Sequence, residues 1–316
     1  MKSVLKYFPE KIEYKIAEEV LDKFDNLEEI RIRALRPIIL KLSDGEKVIK
    51  YSVSTDEILS CLQLLCENSI YSYQNEICNG FITVKGGHRV GISGSCVIEN
   101  NKIINIDYIF SLNFRIARQI LGCSNKILKY ILDLENNNIY NTLIVSPPGS
   151  GKTTILRDLV RQISSGIKEI KFKAINVGIV DERGEIAALY KGIPQNDVGI
   201  NVDVMDNIPK DIGMKMLVRS MAPQVIMADE IGTTEDVKAI DYVMRSGCKG
   251  IFSAHGECIE DLYLNDFIKQ LIIGHVFEII IFLDSKEKGN IKDVYIFDRN
   301  SMKYINYNKL KKREVS

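Results

Sequence analysis

Nine consecutive residues, Ser146-Pro147-Pro148-Gly149-Ser150-Gly151-Lys152-Thr153-Thr154, combine a glycine-rich turn with a lysine followed by two threonines. They follow an apolar, β-prone stretch, Leu143-Ile144-Val145, and lead into a helical pattern. Strand, loop and helix in that order are the elements of a phosphate-binding P-loop. Glycine lets the backbone wrap closely round a polyphosphate, and the N–H groups at the helix start point into the loop as anion donors. In this reading Lys152 reaches the β/γ-phosphates of a nucleoside triphosphate and the Thr153 hydroxyl ligates Mg²⁺. The pattern G-x-x-x-x-G-K-[ST] is broken at its first position, where Ser146 stands. A serine can start the turn, so the loop is expected to survive. An ordinary glycine turn would account for the glycines but not for the flanking strand and helix.

Three more apolar runs end in polar residues. Pro223-Gln-Val-Ile-Met-Ala leads to Asp229-Glu230, Ala174–Val180 leads to Asp181-Glu182-Arg183-Gly184-Glu185, and Phe252-Ser-Ala leads to His255-Gly256. In a parallel sheet, ligands gather at the carboxyl ends of strands. Asp229 is therefore expected to hold Mg²⁺ through water, and Glu230 to polarise an attacking water as general base. Glu182 or Glu185 would lie near the γ-phosphate, so three acids remain candidates for the base. Arg183 could pair with an acid or with a neighbouring subunit, and His255 would sense the γ-phosphate. Taken alone, Asp229-Glu230 also reads as a solvated turn, and 181–185 equally as a surface salt-bridge cluster. Their shared position at one predicted sheet edge favours chemistry. His88 and His275 have no such context, and His275 reads as a packing residue.

The elements that must position these groups fall into two regions. The chain has 316 residues, 46% apolar and 27% charged, which is ample for two soluble globular domains. Residues 1–118 read as a small α+β domain. It has a helix over 10–25, strands over 29–33, 38–42 and 47–51, a helix from Thr55 to Leu65, and short strands at 81–84, 90–92 and 96–98 between glycine turns. Residues 119–316 open with a helix after Ser124 and then alternate. Strands are expected near 142–146, 175–181, 225–229 and 249–253, with helices near 153–165, 211–221 and 235–246. That order predicts an α/β domain with a parallel sheet covered on both faces. Antiparallel strands near 276–283, 293–298 and 302–306 would extend or cap it.

Lys+Arg and Asp+Glu both number 42, so global charge makes no case for nucleic acid. The basic run 309–313 reads as a solvated terminus. No signal peptide is evident, and no segment approaches the roughly 20 apolar residues that span a bilayer. The seven cysteines are scattered without a C-x-x-C pair, which suggests buried thiols of a cytoplasmic protein.

The four stations, in this order, resemble the type II/IV secretion and pilus-motor ATPases of the RecA-like P-loop class. Val218–Gly232 resembles their Walker B region, Ile251–His255 their histidine box and Val180–Glu185 their aspartate box. Glu28–Pro37, Gly80–Val84, Gly86–Gly94 and Ser111–Arg118 are similar to signatures of the stage III sporulation protein AA family. The resemblance covers almost the whole chain. It implies a RecA-like ATPase domain behind a smaller α+β domain, hydrolysing ATP to ADP and phosphate with Mg²⁺. It further implies a homo-oligomer, a hexameric ring, in the mother-cell cytoplasm of an endospore former. Membrane proteins of the same sporulation apparatus would recruit it to the inner face of the engulfing membrane. In such rings arginines of the first domain reach the nucleotide between subunits; Arg115 and Arg118 match best, then Arg89. Asp229 stands where secretion motors more often carry glycine. Two other readings remain: a nucleic-acid translocase, which the balanced charge disfavours, and a non-hydrolysing ATP-binding assembly platform.

Overall fold

A computed structural model describes residues 2–20 and 24–308. The basic run 309–313, and Leu21 at the end of the first expected helix, lie outside them. The chain separates into two compact units: Met1–Arg118 with Ala188–Asn196, and Gln119–Ala187 with Asp197–Ser316.

In the first unit, α1 (Glu10–Val20) buries Ile12, Ile16 and Val20, one stripe at helical spacing. β1 (Leu27–Arg33), β2 (Pro37–Leu42) and β3 (Gly45–Ser52) follow, then α2 (Thr55–Leu65), α3 (Gln74–Cys78), β4 (Phe81–Val84), β5 (His88–Glu99) and β6 (Lys102–Arg115). A capping box starts α2: Ser54 Oγ accepts from Glu57 N at 3.2 Å, and the Glu57 carboxylate accepts from Ser54 N at 2.8 Å. β1 to β6 form an antiparallel sheet in the order β3-β2-β1-β6-β5-β4. The two short strands expected at 90–92 and 96–98 are one long strand instead. Gly94 does not turn the chain; it admits the opposing β6 backbone, and a Cβ there would lie 2.7 Å from Asp107 O.

The rest of the chain runs α4 (Asn125–Ile131), β7 (Leu132–Asp133), β8 (Asn138–Ile139), β9 (Thr142–Val145), α5 (Lys152–Ser165), β10 (Val177–Asp181), β11 (Leu189–Tyr190), β12 (Ile193–Pro194), β13 (Val202–Asp206), α6 (Lys210–Met221), β14 (Val225–Ala228) and α7 (Thr234–Arg245). It closes with β15 (Lys249–Ala254), α8 (Ile259–Leu264), α9 (Asp266–Ile273), β16 (Ile279–Leu283), β17 (Ile291–Asp298) and β18 (Lys303–Asn306). The β11–β12 hairpin belongs with the first unit. There Lys191 pairs with Glu67 at 2.6 Å, and Gly86 N donates to Gln195 Oε1 at 2.8 Å.

The second unit's main sheet has the order β13-β10-β14-β15-β9-β16-β17-β18. The neighbours from β13 to β16 are parallel, and β17 and β18 are antiparallel. β9, β10, β14 and β16 are buried at every position, as strands covered on both faces must be. Leu143, Val180, Ile226, Ala228, Phe252 and Ala254 face one apolar cluster with α6, α7 and α9. Two features depart from the sequence reading. β16, expected to be antiparallel, pairs parallel with β9, because α8 and α9 return the chain to the sheet's other end. β13 was not anticipated; it is a half-buried edge strand with two aspartates, which blurs its period.

His88, without context in the sequence, is buried, and its Nδ1 accepts from Ala117 N at 3.1 Å. Burial pushes its imidazole down to about 4. The unfolded chain therefore binds a proton more readily between pH 6.5 and about 4, and stability present above that window is lost as pH falls through it. Lowering the pH from 7 to 5 should cost the first unit about 2 kcal/mol, read from hydrogen exchange in β5 and β6. His88→Gln should remove most of that difference; an equal loss in the variant would place the effect elsewhere.

Candidate active site

β9 ends at Val145 opposite Ala254 of β15, and the loop turns away from there. Ser146 is buried, its N donating to Ala254 O at 3.3 Å and its Oγ to Pro147 O at 3.0 Å. Gly149 (φ 77°) and Gly151 (φ 89°) adopt left-handed backbone, which suits glycine; Ser146 does not. This is why serine serves at the first loop position. A Cβ on Gly149 would meet nothing within 4 Å, so its left-handed backbone, not crowding, is what calls for glycine there. Gly151 precedes α5 without a side-chain cap, leaving the first helix N–H groups, those of Thr153 and Thr154 included, available to an anion. Further along α5, Asp158 accepts from Gly122 N (3.0 Å) and from Ser124 N (2.9 Å) and Oγ (2.6 Å). Burial disfavours its charge, but the bonds from Ser124, Arg161 and Gly122 outweigh that and hold the carboxyl down at about 2.

Lys152 turns back beneath the loop. It is buried, and its Nζ donates to Ala254 O at 3.1 Å and lies 3.4 Å from His255 Nδ1. Burial lowers its pKa below the ordinary lysine value, with Asp229 and Glu230 acting in the opposite sense. Thr153 Oγ1 donates to Asp229 Oδ2 at 2.8 Å. The Ser253 hydroxyl donates to Asp229 Oδ1 and accepts from Glu230 N at 2.9 Å. Glu230 has left-handed backbone (φ 53°). Its Oε2 pairs with Arg183 Nη1 at 2.6 Å, and its Oε1 lies 3.4 Å from His255 Nε2.

The loop after β10 is built around Asp181. This buried carboxylate accepts from the backbone N–H of Glu185 (2.9 Å), Ile186 (3.0 Å) and Ala187 (2.8 Å). Arg157 of α5 donates to Ile186 O at 2.9 Å and Glu185 O at 2.5 Å, tying that loop to the P-loop helix. Glu182 pairs with Lys210. One pocket thus brings together Asp181, Glu182, Arg183, Glu185, Asp229 and Glu230.

Arg115 and Arg118 lie in the first unit. Arg115 stands in register with Glu29 on β1 and Arg89 on β5, and Arg89 sits 3.6 Å over the Phe81 ring. Arg118 Nη2 donates to Leu27 O at 2.7 Å. His275 stacks on Phe297, centroids 4.3 Å apart, in keeping with a packing residue. The sequence reading passed over Ser253, Arg157 and Lys210. The available signals were a hydroxyl two residues before His255 and a basic residue among the apolar positions of α5.

The sheet order, the P-loop and the acids at the neighbouring strand ends define a RecA-like P-loop fold, preceded in the chain by a smaller α+β unit. The ATPase DotB of Legionella pneumophila superposes with a TM-score of 0.58 at 13% identity, covering 91% of this chain and 80% of that one. The pilus retraction motor PilT, solved with bound ADP, gives 0.57 at 16% identity over 85% and 77%. Residues 2–303 match the family described as sporulation stage III, protein AA. Stage III sporulation protein AA of Bacillus subtilis (strain 168) is 37% identical over 301 residues, 95% of this chain and 96% of its own. The chain belongs to the stage III sporulation protein AA family.

Asp181→Ala would strand three backbone N–H groups that the buried carboxylate now satisfies. The second unit should lose about 3 kcal/mol, read by urea denaturation, with faster amide exchange confined first to 185–187. Unchanged exchange there would show that the carboxylate does not hold the loop.

Proposed function

We propose that this chain is a Mg²⁺-dependent ATPase that powers a secretion or channel apparatus at the mother cell–forespore boundary. The observation that carries the reading is the convergence of a glycine turn with left-handed Gly149 and Gly151, a buried lysine and the Thr153–Asp229 pair at one sheet edge. The names of its relatives support it: the B. subtilis protein is a sporulation protein, and the fold neighbours are an ATPase and a retraction motor.

The N–H groups of Gly149, Ser150, Gly151, Lys152, Thr153 and Thr154 would cradle the phosphates of ATP. Ser146, Pro147 and Pro148 would shape the turn, and Lys152 would hold the β/γ oxygens. The Thr153 hydroxyl and an Asp229 oxygen are adjacent hard-oxygen donors, a pair that suits Mg²⁺ completed by phosphate and water. When bound, that cation would neutralise charge developing on the phosphates. Glu230 would orient and deprotonate the attacking water once its carboxylate leaves Arg183; Glu182 and Glu185 are the other glutamates lining the pocket. His255, between Lys152 and Glu230, would couple loss of the γ-phosphate to movement. Arg115 and Arg118 would act in trans, where a guanidinium stabilises the transferring phosphoryl, and this requires a homo-oligomer, in our reading a hexameric ring. Among the described residues no helix is long and apolar enough to cross a membrane. We place the protein in the mother-cell cytoplasm, recruited to the membrane by integral partners, without direct contact to nucleic acid.

A second reading has its own support. Glu230 is engaged by Arg183, and a non-hydrolysing platform would keep it so. Single-turnover assays separate the two: ATP bound by the wild type should decay, at a rate per chain that climbs with assembly measured by light scattering. Lys152→Ala should lower turnover about 100-fold or more, and Glu230→Gln should retain bound ATP without cleaving it. Wild-type protein that holds ATP intact at every concentration would establish the platform.

A further inference from the structure

We propose that Ser253 is the positioning residue that orients Asp229 toward the metal and fixes the backbone from which Glu230 projects. The inference rests on the nucleotide site proposed above and adds a residue to it. β14 and β15 are parallel neighbours in the register Ala228↔Phe252, so Asp229 and Ser253 stand one step further along adjacent strands. Ala228, Phe252 and Ala254 point into the apolar cluster with α6, α7 and α9. Strand alternation therefore turns Asp229 and Ser253 to the opposite face, the face from which Thr153 reaches Asp229 Oδ2.

The hydroxyl of Ser253 is fully buried and has one proton to give. Glu230 N–H donates to its oxygen at 2.9 Å. That contact directs the hydroxyl proton toward Asp229 Oδ1, which accepts it. Each bond polarises the other, so the two reinforce. With Oδ1 taken, Oδ2 is the oxygen left facing Thr153 and the nucleotide. The backbone completes the hold: Ile231 N donates to Ser253 O at 2.8 Å. One residue thereby grips positions 229, 230 and 231. The same contacts hold Glu230 in its left-handed backbone, φ 53°. Without the hydroxyl, Asp229 Oδ1 and Glu230 N–H lose their shared partner at a half-buried site. The carboxylate is then free to rotate, and Oδ2 no longer has a fixed direction.

The test uses the full chain with a fluorescent ATP analogue, titrated with Mg²⁺, and with Mn²⁺ followed by electron paramagnetic resonance. Ser253→Ala should leave metal-free nucleotide affinity unchanged and raise the Mg²⁺ needed for half-maximal tightening about tenfold. In turnover, kcat should fall more than KM rises. Ser253→Cys keeps the side-chain shape with a slightly larger, poor donor; it should show the same shift, and it serves if the alanine variant does not fold. Wild-type metal dependence in a folded variant would overturn the assignment of Ser253. Wild-type protein showing no Mg²⁺-dependent nucleotide binding would instead overturn the nucleotide site itself, so the two failures are distinguishable.

Discussion

A buried ammonium governs the arrangement of the second unit. Lys152 is buried at the start of α5, and burial disfavours its charged form. An ion taken out of water costs several kcal/mol unless its surroundings compensate. Here the compensation comes from the Ala254 carbonyl and from the two carboxylates at 229 and 230. None of these is near Lys152 in sequence. They arrive because β15 lies between β9 and β14 in a parallel sheet whose carboxyl ends coincide.

The acids are then held by groups that leave little freedom. Asp229 accepts hydroxyls on both oxygens, from Thr153 and Ser253. Asp181 is spent on three successive backbone N–H groups, so it shapes a loop instead of facing the pocket as a free carboxylate. Arg157 does the complementary work from α5, donating to carbonyls of the same loop. The P-loop helix and the acidic loop are therefore one hydrogen-bonded frame. The chain leaves that frame at Ala187 and enters the first unit at Ala188, returning only after Asn196. The loop that carries Glu182 and Glu185 is thus covalently continuous with the first unit, beyond the link at residue 118.

Much of the second unit was legible because its signals are local. An apolar run such as Val225-Ile-Met-Ala can bury both faces only inside a parallel sheet, and it ends where polar residues begin. Gly149 and Gly151 announce left-handed backbone, and the helix after them carries its own period. Other features depend on distant partners and were hidden. The direction of β16 is set by how α8 and α9 pack against the sheet. β13 is legible only as a neighbour of β10. Gly94 reads as a turn until β6 is laid beside it. The hairpin 189–194 turns at Lys191-Gly192, but its place in the first unit, through Glu67 and Gly86, depends on partners far away in sequence.

Apolar period, glycine conformation and helix start are properties of short stretches, so the order of residues is enough to specify which of them stand at strand ends and which can wrap an anion. Which acid meets which base is set by the packing of distant strands. Glu230 with Arg183, Glu182 with Lys210, and Asp229 between Thr153 and Ser253 are choices made by sheet order and register. Those pairings span tens of residues, and nothing in a local pattern specifies the partner across the gap.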